Sequence, residues 1–352
     1  MIHIAGLSVT LFQIAVTIIG IGILVFVHEL GHFIMAKKFK LKVEKFTFGF
    51  GPEIIGYTYG ETRYAICAIP LGGMVKMPGE DVESATGSPD EFYSQPWYKR
   101  LLIAIMGPLM NYAFAILIFG AVFYMWGIDK PSSLPKIGEI LPDYPAAKAG
   151  LKPGDVVVKI NKAEIKTWLD MAEYIHTHTN QELEMVVLRD NKEFALKIMP
   201  KKDEVSGLGI IGISPDFETE RIGMASSLWL GTKMTVFQSV FTLEYLGQKI
   251  IKFEKPDVAG PIGVIQYLAK AAKTGWRSLL NFIAIISTAL GLFNLLPIPI
   301  LDGGHIFIAL IEGIIRRPLS KKVVMNANMV GLSIIVLIFL LATYNDITRI
   351  MQ

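Results

Sequence analysis

Cysteine is almost missing: Cys67 stands alone in 352 residues, so an intrachain disulfide and a thiolate metal cluster are both excluded. Charge is scarce as well. Asp, Glu, Lys and Arg make up 18% of the chain and hydrophobic residues 52%, with a mean hydropathy of +0.46, whereas a soluble globular protein carries roughly 25% charge. Disordered, fibrous and simple cytosolic classes are thereby excluded. Neither sign of charge dominates either, for 34 basic against 31 acidic residues leave a net +3. No basic stripe gathers along the chain, so nucleic acid is not an expected partner.

What is abundant is uninterrupted apolar sequence. Four stretches, 4–27, 101–128, 278–301 and 323–345, contain no Asp, Glu, Lys, Arg or His, and each exceeds the roughly 20 helical residues needed to cross a hydrocarbon core. The first is expected to be a retained span rather than a cleaved signal peptide, since MIHIAGLSVT has no basic start and HELGH follows directly. Lys37, Lys38, Lys40 and Lys42, then Lys99 and Arg100, then Arg316, Arg317, Lys321 and Lys322 all fall on one side of this four-span arrangement. By the positive-inside bias that side is cytoplasmic, with both termini and residues 129–277 outside.

The connecting segments carry their own patterns. Residues 43–80 alternate short strand-like runs with glycine and proline: Phe46, Phe48 and Phe50 alternate with small or polar residues, GFGP at 49–52 turns the chain, and strands follow at 57–59 and 62–69. A small antiparallel sheet or hairpin region at the membrane face is expected, covered by protein or lining a wet cavity. Residues 80–96 read as an acidic, mobile linker. On the other side, 137–213 reads as a compact α/β module, and AAKAGLKPGDVVVKINKAEIKTWLDMAEYI within it resembles a PDZ domain of the bacterial membrane-protease type. Such a domain takes an extended peptide between a strand, here 137–140, and a helix, here 168–175; a spacer or size filter is the alternative. Residues 217–277 suit amphipathic interfacial helices.

The strongest chemical signal is HELGH at 28–32. It sets His28 and His32 one helical turn apart on one face, with Glu29 beside the same point, as a metal pair and a general base require. Three ionisable groups at the end of an apolar span need compensation for lost hydration, and coordination supplies it. A catalytic zinc wants a third protein ligand. Asp302, after the bend of Pro297 and Pro299, is the candidate; His305 is another, and Asp302 could instead cap the helix that follows. Asn294 could donate to the oxyanion formed in peptide hydrolysis or hold an unwound helix together.

HELGH, FGFGP at 48–52, IPLGGMVKMPGE at 69–80, GPLMN at 107–111, GLKPGD at 150–155, GPIG at 260–263 and NLLPIPILDGG at 294–304 occur in that order. With them the sequence resembles the site-2 protease family of intramembrane zinc metalloproteases, particularly the bacterial regulator-of-sigma-E protease branch, over nearly the whole chain. The resemblance implies one zinc ion per chain, held by His28, His32 and Asp302, with Glu29 as general base. Asn294, Pro297 and Pro299 would receive an unwound substrate. The hairpin region would pair an edge with it, through Thr62, Arg63, Tyr64, Ala65 and Ile66 or through Gly73, Met74 and Val75. Implied substrates are single-span membrane proteins, such as anti-sigma factors after a first cleavage in a stress response, and remnant signal peptides. Branch members often carry two PDZ domains, whereas this chain has room and motif for one.

The fold class expected is a polytopic α-helical membrane protein with four transmembrane helices, a membrane-associated β-hairpin region and one extracytoplasmic PDZ-like domain. Its divisions are a first span with the zinc motif (1–36), the β region and linker (37–99), a second span (100–128), the PDZ-like domain (129–215) and interfacial helices (216–275). A third span bearing Asp302 (276–304), a cytoplasmic loop (305–322) and a fourth span with tail (323–352) complete the chain. The expected location is the bacterial inner membrane, with lipid around the spans and the active site toward the cytoplasm. A catalytically silent receptor or scaffold, binding peptides through the PDZ-like domain, is the alternative from another class; intact Glu29 argues against it. A metal transporter lacks a second set of ligands along its path.

Overall fold

A computed structural model describes residues 2–4, 7–9, 11–80, 85–204, 207–252, 254 and 259–351. In chain order the elements begin with β1 (Ile2–Ile4), β2 (Leu7–Val9), α1 (Leu11–Lys38), β3 (Lys45–Tyr59), β4 (Thr62–Lys76) and α2 (Trp97–Trp126). Then follow β5 (Ile128–Pro131), β6 (Ile137–Ile140), α3 (Pro145–Lys148), β7 (Val156–Ile160), β8 (Ala163–Glu164), α4 (Trp168–Thr177), β9 (Leu183–Arg189) and β10 (Lys192–Ile198). β11 (Lys201–Lys202), β12 (Gly209–Ile210), β13 (Ile213–Pro215), β14 (Phe217–Glu220), α5 (Met224–Ile251) and α6 (Pro261–Thr274) lead to α7 (Trp276–Leu295), α8 (Asp302–Ile315) and α9 (Lys321–Met351). Two compact units divide the chain, Met1–Met125 with Gly223–Gln352, and Trp126–Ile222.

Four helices of the first unit are long and apolar enough to cross a membrane: Ala15–Lys38, Trp97–Trp126, Trp276–Leu295 and Lys321–Arg349. The third departs from the sequence expectation. α7 stops at Leu295 because Leu296, ahead of Pro297, is extended, a conformation that proline imposes on its predecessor. Asp302 therefore begins a separate helix, α8, and does not lie on the third span. The loop expected over 305–322 is largely that helix.

The segment after α1 also differs. Phe46 stacks on Phe33 at 4.5 Å and leans on Phe26 at 5.2 Å, which fastens the sheet to α1. Lys45, Phe46, Thr47 and Phe48 each have partners on two sides: Arg63, Tyr64, Ala65 and Ile66 on one, and Lys76, Val75, Met74 and Gly73 on the other. Glu53, Ile55, Gly56, Tyr57, Thr58 and Tyr59 pair in turn with Cys67, Ile66, Ala65, Tyr64, Arg63 and Thr62. Both long strands thus fold back on themselves: β3 reverses at GFGP, where Gly49 and Gly51 take φ 91° and 84°, and a second reversal at Gly60 and Glu61 leads into β4. The linker expected over 80–96 lies in part, at 81–84, outside the described residues. Its later part is anchored: Phe92 is buried with Val43, Met77 and Ile103, a burial worth about 1.5–3 kcal/mol, and Glu91 accepts the N–H groups of Thr86 and Gly87.

Polar ties bind the helices where apolar packing alone would let them slide. Arg100 of α2 and Glu312 of α8 form a buried ion pair; Glu312 also accepts the Leu319 N–H at 2.8 Å, and Arg100 lies over the Tyr93 ring. Asp346 of α9 accepts the N–H groups of Gly260 and Gly263, at 3.0 and 2.8 Å, and so caps α6 from another helix. α5 lays Ser227, Gly231 and Thr235 inward, and a Cβ on Gly231 would stand 2.7 Å from the Ile116 carbonyl of α2. Small residues of this kind let helix backbones touch.

The second unit is an α/β module with its own core, including Ile137, Val157, Ile160, Met171, Met185 and Val187. Its main sheet runs β10-β9-β7-β8, and β13 pairs with β6. Thr167 and Asp170 close a reciprocal capping box on α4. Burial opposes the charge on Asp155, but the Arg189 guanidinium and the Lys152 N–H hold its carboxyl below the usual range.

Breaking the Arg100–Glu312 pair strands a buried guanidinium. Glu312→Leu is expected to destabilise the first unit by about 3–5 kcal/mol, read as an earlier thermal unfolding transition in detergent, with Arg100→Met, Glu312→Leu recovering part of the loss.

Candidate active site

α1 carries His28, Glu29 and His32 on one face, and α8 brings Asp302 to meet them. Nε2 of His28 and Nε2 of His32 lie 3.1 Å apart; Asp302 sets Oδ2 at 2.9 Å from the first and Oδ1 at 3.3 Å from the second. Zinc–ligand bonds of about 2.0–2.1 Å in a tetrahedron put ligand atoms roughly 3.3 Å apart. The spacing therefore suits one zinc ion with three protein ligands and an open fourth position. Two further observations fit. Asp302 Oδ2 is buried with no hydrogen-bond donor outside the ligand group itself. Gly107 of α2 faces the two imidazoles so closely that a Cβ there would stand 2.9 Å from His28 Nε2 and nearer still to His32 Nε2.

Backbone contact sets the depth of the site. A Cβ on Gly31 would run into the Met106 carbonyl, so α1 and α2 meet main chain to main chain at the zinc motif. Pro108 withholds one N–H from the α2 ladder, and one turn earlier the Ile103 carbonyl accepts from His32 Nδ1 at 2.8 Å. On the α8 side, the short link from α7 contains Ile300 at φ 82°, a left-handed conformation that a β-branched residue adopts only under constraint. The turn delivers Asp302 to the first position of α8. The N-cap is Leu301, with no side-chain bond, so the Asp302 carboxylate is not spent on capping. His305 is not part of the ligand group; its Nδ1 meets Tyr93 Oη at 3.4 Å and its ring packs beside Phe92.

Glu29 points the same way, and its Oε2 accepts the Val75 N–H at 3.1 Å. Sequence reasoning did not find that contact, nor Gly107, Ile103 and Glu80. GPLMN contains Gly107, and IPLGGMVKMPGE contains Val75 and ends in Glu80; Ile103 lies in neither motif. Glu80 lines a cavity of about 40 Å³ together with Glu29, His32, Asp302 and His305, and also an adjoining one of about 530 Å³ with Glu44, Lys76 and Glu91. Part of its surface is exposed, yet burial of the carboxyl pushes it up to about 7 against the Met77 N–H, with Glu29 adding to the rise.

The expected substrate contacts divide. Arg63, Tyr64, Ala65 and Ile66 form an interior run with sheet partners on both sides, so the expectation of strand addition there is corrected; Thr62 pairs with Tyr59 alone, and its hydroxyl donates to the Val43 carbonyl at 2.8 Å. Gly73, Met74 and Val75 have sheet partners on one side, Phe48, Thr47 and Phe46, and the Val75 N–H on the other side meets Glu29. Asn294 ends α7, half-buried, and Pro297 and Pro299 occupy the link between α7 and α8. These three are not among the residues lining the small cavity.

Two imidazoles and a carboxylate around an open position, with a second carboxylate alongside and long apolar helices as the frame, define a membrane-embedded zinc hydrolase. Comparison with known proteins makes the class specific. Residues 16–338 match the model of Peptidase family M50. A relative from Clostridium acetobutylicum, whose name carries the words zinc metalloprotease, is 34% identical, with 96% of this chain and 97% of its own covered. Zinc metalloprotease RasP of Geobacillus kaustophilus and regulator of sigma-W protease RasP of Bacillus subtilis are each 28% identical; they cover 97% and 95% of this chain, and 99% and 97% of their own lengths. Among solved structures, the PDZ domain of the SdrC-like protein of Listeria monocytogenes matches at 21% identity and a TM-score of 0.22, covering 25% of this chain and 93% of that one. The chain belongs to peptidase family M50, the site-2 protease family, and is a zinc-dependent protease.

A methyl group at position 107 would enter the space between the imidazoles. Gly107→Ala is expected to weaken zinc binding by about 10–100-fold, measured as zinc retained per chain against a graded chelator, while the helical circular dichroism stays at the wild-type level.

Proposed function

We propose that this protease is an endopeptidase that cuts peptide bonds within transmembrane segments, its substrates being single-span membrane proteins and remnant signal peptides. The observation that carries this is the position of the ligand group, His28 and His32 at the end of an apolar span and Asp302 just beyond another. The name of the Bacillus subtilis relative, a regulator of sigma-W protease, supports anti-sigma factors as one substrate class and a stress response as the setting. The lysine and arginine clusters support a bacterial inner-membrane protein with the site toward the cytoplasm, both termini outside and the α/β module extracytoplasmic. The strand β6 and helix α4 of that module support the PDZ-like reading, with peptide binding or exclusion of bulky ectodomains as its task.

Zinc, when bound, acidifies water and polarises the scissile carbonyl. The chain's own residues do the rest. Because Oε2 of Glu29 is held by the Val75 N–H, the other carboxylate oxygen is left to take the proton of the attacking water and pass it to the departing amide nitrogen. A transmembrane helix hides its peptide bonds in its own ladder, so part of it must unwind and find new partners. The run Gly73–Val75, paired on one side only and bordering Glu29, is the segment suited to receive it as an added strand. Asn294 would donate to the developing oxyanion, and with it Pro297 and Pro299 would help receive the unwound segment.

Glu29→Gln keeps the helix and removes the base. Purified wild type should cleave a single-span test substrate in detergent or bilayers, and Glu29→Gln should lose at least about 10²-fold in rate while retaining zinc. Equal cleavage by both would sink the assignment of the base, and cleavage restricted to water-soluble peptides would sink the intramembrane reading.

A further inference from the structure

Each ligating imidazole uses Nε2 toward the ligand group, so the opposite nitrogen, Nδ1, has to carry the ring proton and needs an acceptor. His32 has one, the Ile103 carbonyl at 2.8 Å. His28 meets the side chain of Asn111, the last residue of GPLMN in α2. Asn111 is fully buried (0% exposed), and its backbone carbonyl accepts the Ser287 hydroxyl of α7 at 2.8 Å. The side chain therefore sits where α1, α2 and α7 meet. Its Nδ2 lies 3.2 Å from His28 Nδ1, and its Oδ1 is buried with no hydrogen-bond partner.

In that orientation the amide donates to Nδ1, which puts the imidazole proton on Nε2 and takes away the lone pair a metal requires. A half-turn of the amide about its own axis fills the same volume and reverses the polarity: Oδ1 then stands opposite Nδ1 and accepts its proton. In the first orientation Oδ1 finds no donor, so no bond at that end holds the amide and the choice falls to His28. We infer that Asn111 is a positioning residue for the zinc site, whose side-chain oxygen accepts the His28 Nδ1–H and so fixes the tautomer and plane of the ring that presents Nε2 to the metal. The inference rests on the zinc site described above and assigns a role to a residue outside it.

The test uses the purified full-length protein and separates hydrogen bonding from packing. Asn111→Leu keeps the volume and removes the acceptor; Asn111→Asp keeps an acceptor. Zinc affinity, measured by chelator competition, should fall about 10–100-fold in the leucine variant and return to within a few-fold of wild type in the aspartate variant. The absorption bands of cobalt in the site should change shape in the leucine variant alone. Wild-type affinity and an unchanged cobalt spectrum for Asn111→Leu would overturn the inference, as would equal losses in both variants, which mark a packing role. Should the leucine variant fail to fold, the zinc-loaded wild type decides: a ¹⁵N-histidine spectrum with His28 protonated at Nδ1 and exchanging slowly supports the role, and an unprotonated Nδ1 overturns it. Because zinc affinity is read without substrate, failure here is distinguishable from failure of the intramembrane reading.

Discussion

The meeting of two imidazole nitrogens with one carboxylate, across some 270 residues of sequence, is the constraint that the rest of the first unit serves. Nitrogen and oxygen atoms about 3 Å apart demand that two helices hold their separation to a fraction of an ångström in a medium where hydrophobic burial gives little direction. Lipid tails are as apolar as leucine, so alignment has to come from steric fit and from polar ties. Both are present: glycine-lined backbone contact between α1 and α2, and the buried Arg100–Glu312 pair between α2 and α8. The first lies inside the zinc motif, at Gly31, and the second far along α8 from Asp302; together they fix where these side chains point.

The β region serves the same constraint from the side. Aromatic stacking on Phe26 and Phe33 seats the sheet against α1, and the consequence is chemical: the Val75 N–H reaches Glu29. The sheet holds the Glu29 carboxylate and at the same time places a strand paired on one side only beside it. Exposed Ile54, Ile55, Tyr57 and Tyr59 on the outer run suit a lipid-facing margin, with tyrosine hydroxyls available at the polar boundary.

Much of this was legible in the chain itself. The i, i+4 spacing of His28 and His32 needs only helix geometry, and Asp302 stood out as a carboxylate closing an apolar stretch. What the sequence concealed depends on distant pairing. The runs of β3 and β4 are visible as alternation, but period-two patterning does not say which neighbour a strand takes; hence Arg63–Ile66 look like an edge in the sequence while their partners flank them on both sides. The absence of charge carried span three past Leu295, whereas the backbone preference of Leu296 before Pro297 ended it. Asn111 gave no sign of its place because an asparagine in an apolar helix has many uses, and only the approach of α1 selects one.

The link between α7 and α8 carries the third ligand, and α9 leans directly upon it: a Cβ on Gly331 would collide with the Pro299 carbonyl. α9 is the least enclosed of the four long apolar helices, so its outer surface belongs to whatever surrounds the protein. A single missing methyl group thus makes the last helix a lever with its short arm on the aspartate. A side chain at position 331 would press on the backbone and ring of Pro299, three residues before Asp302.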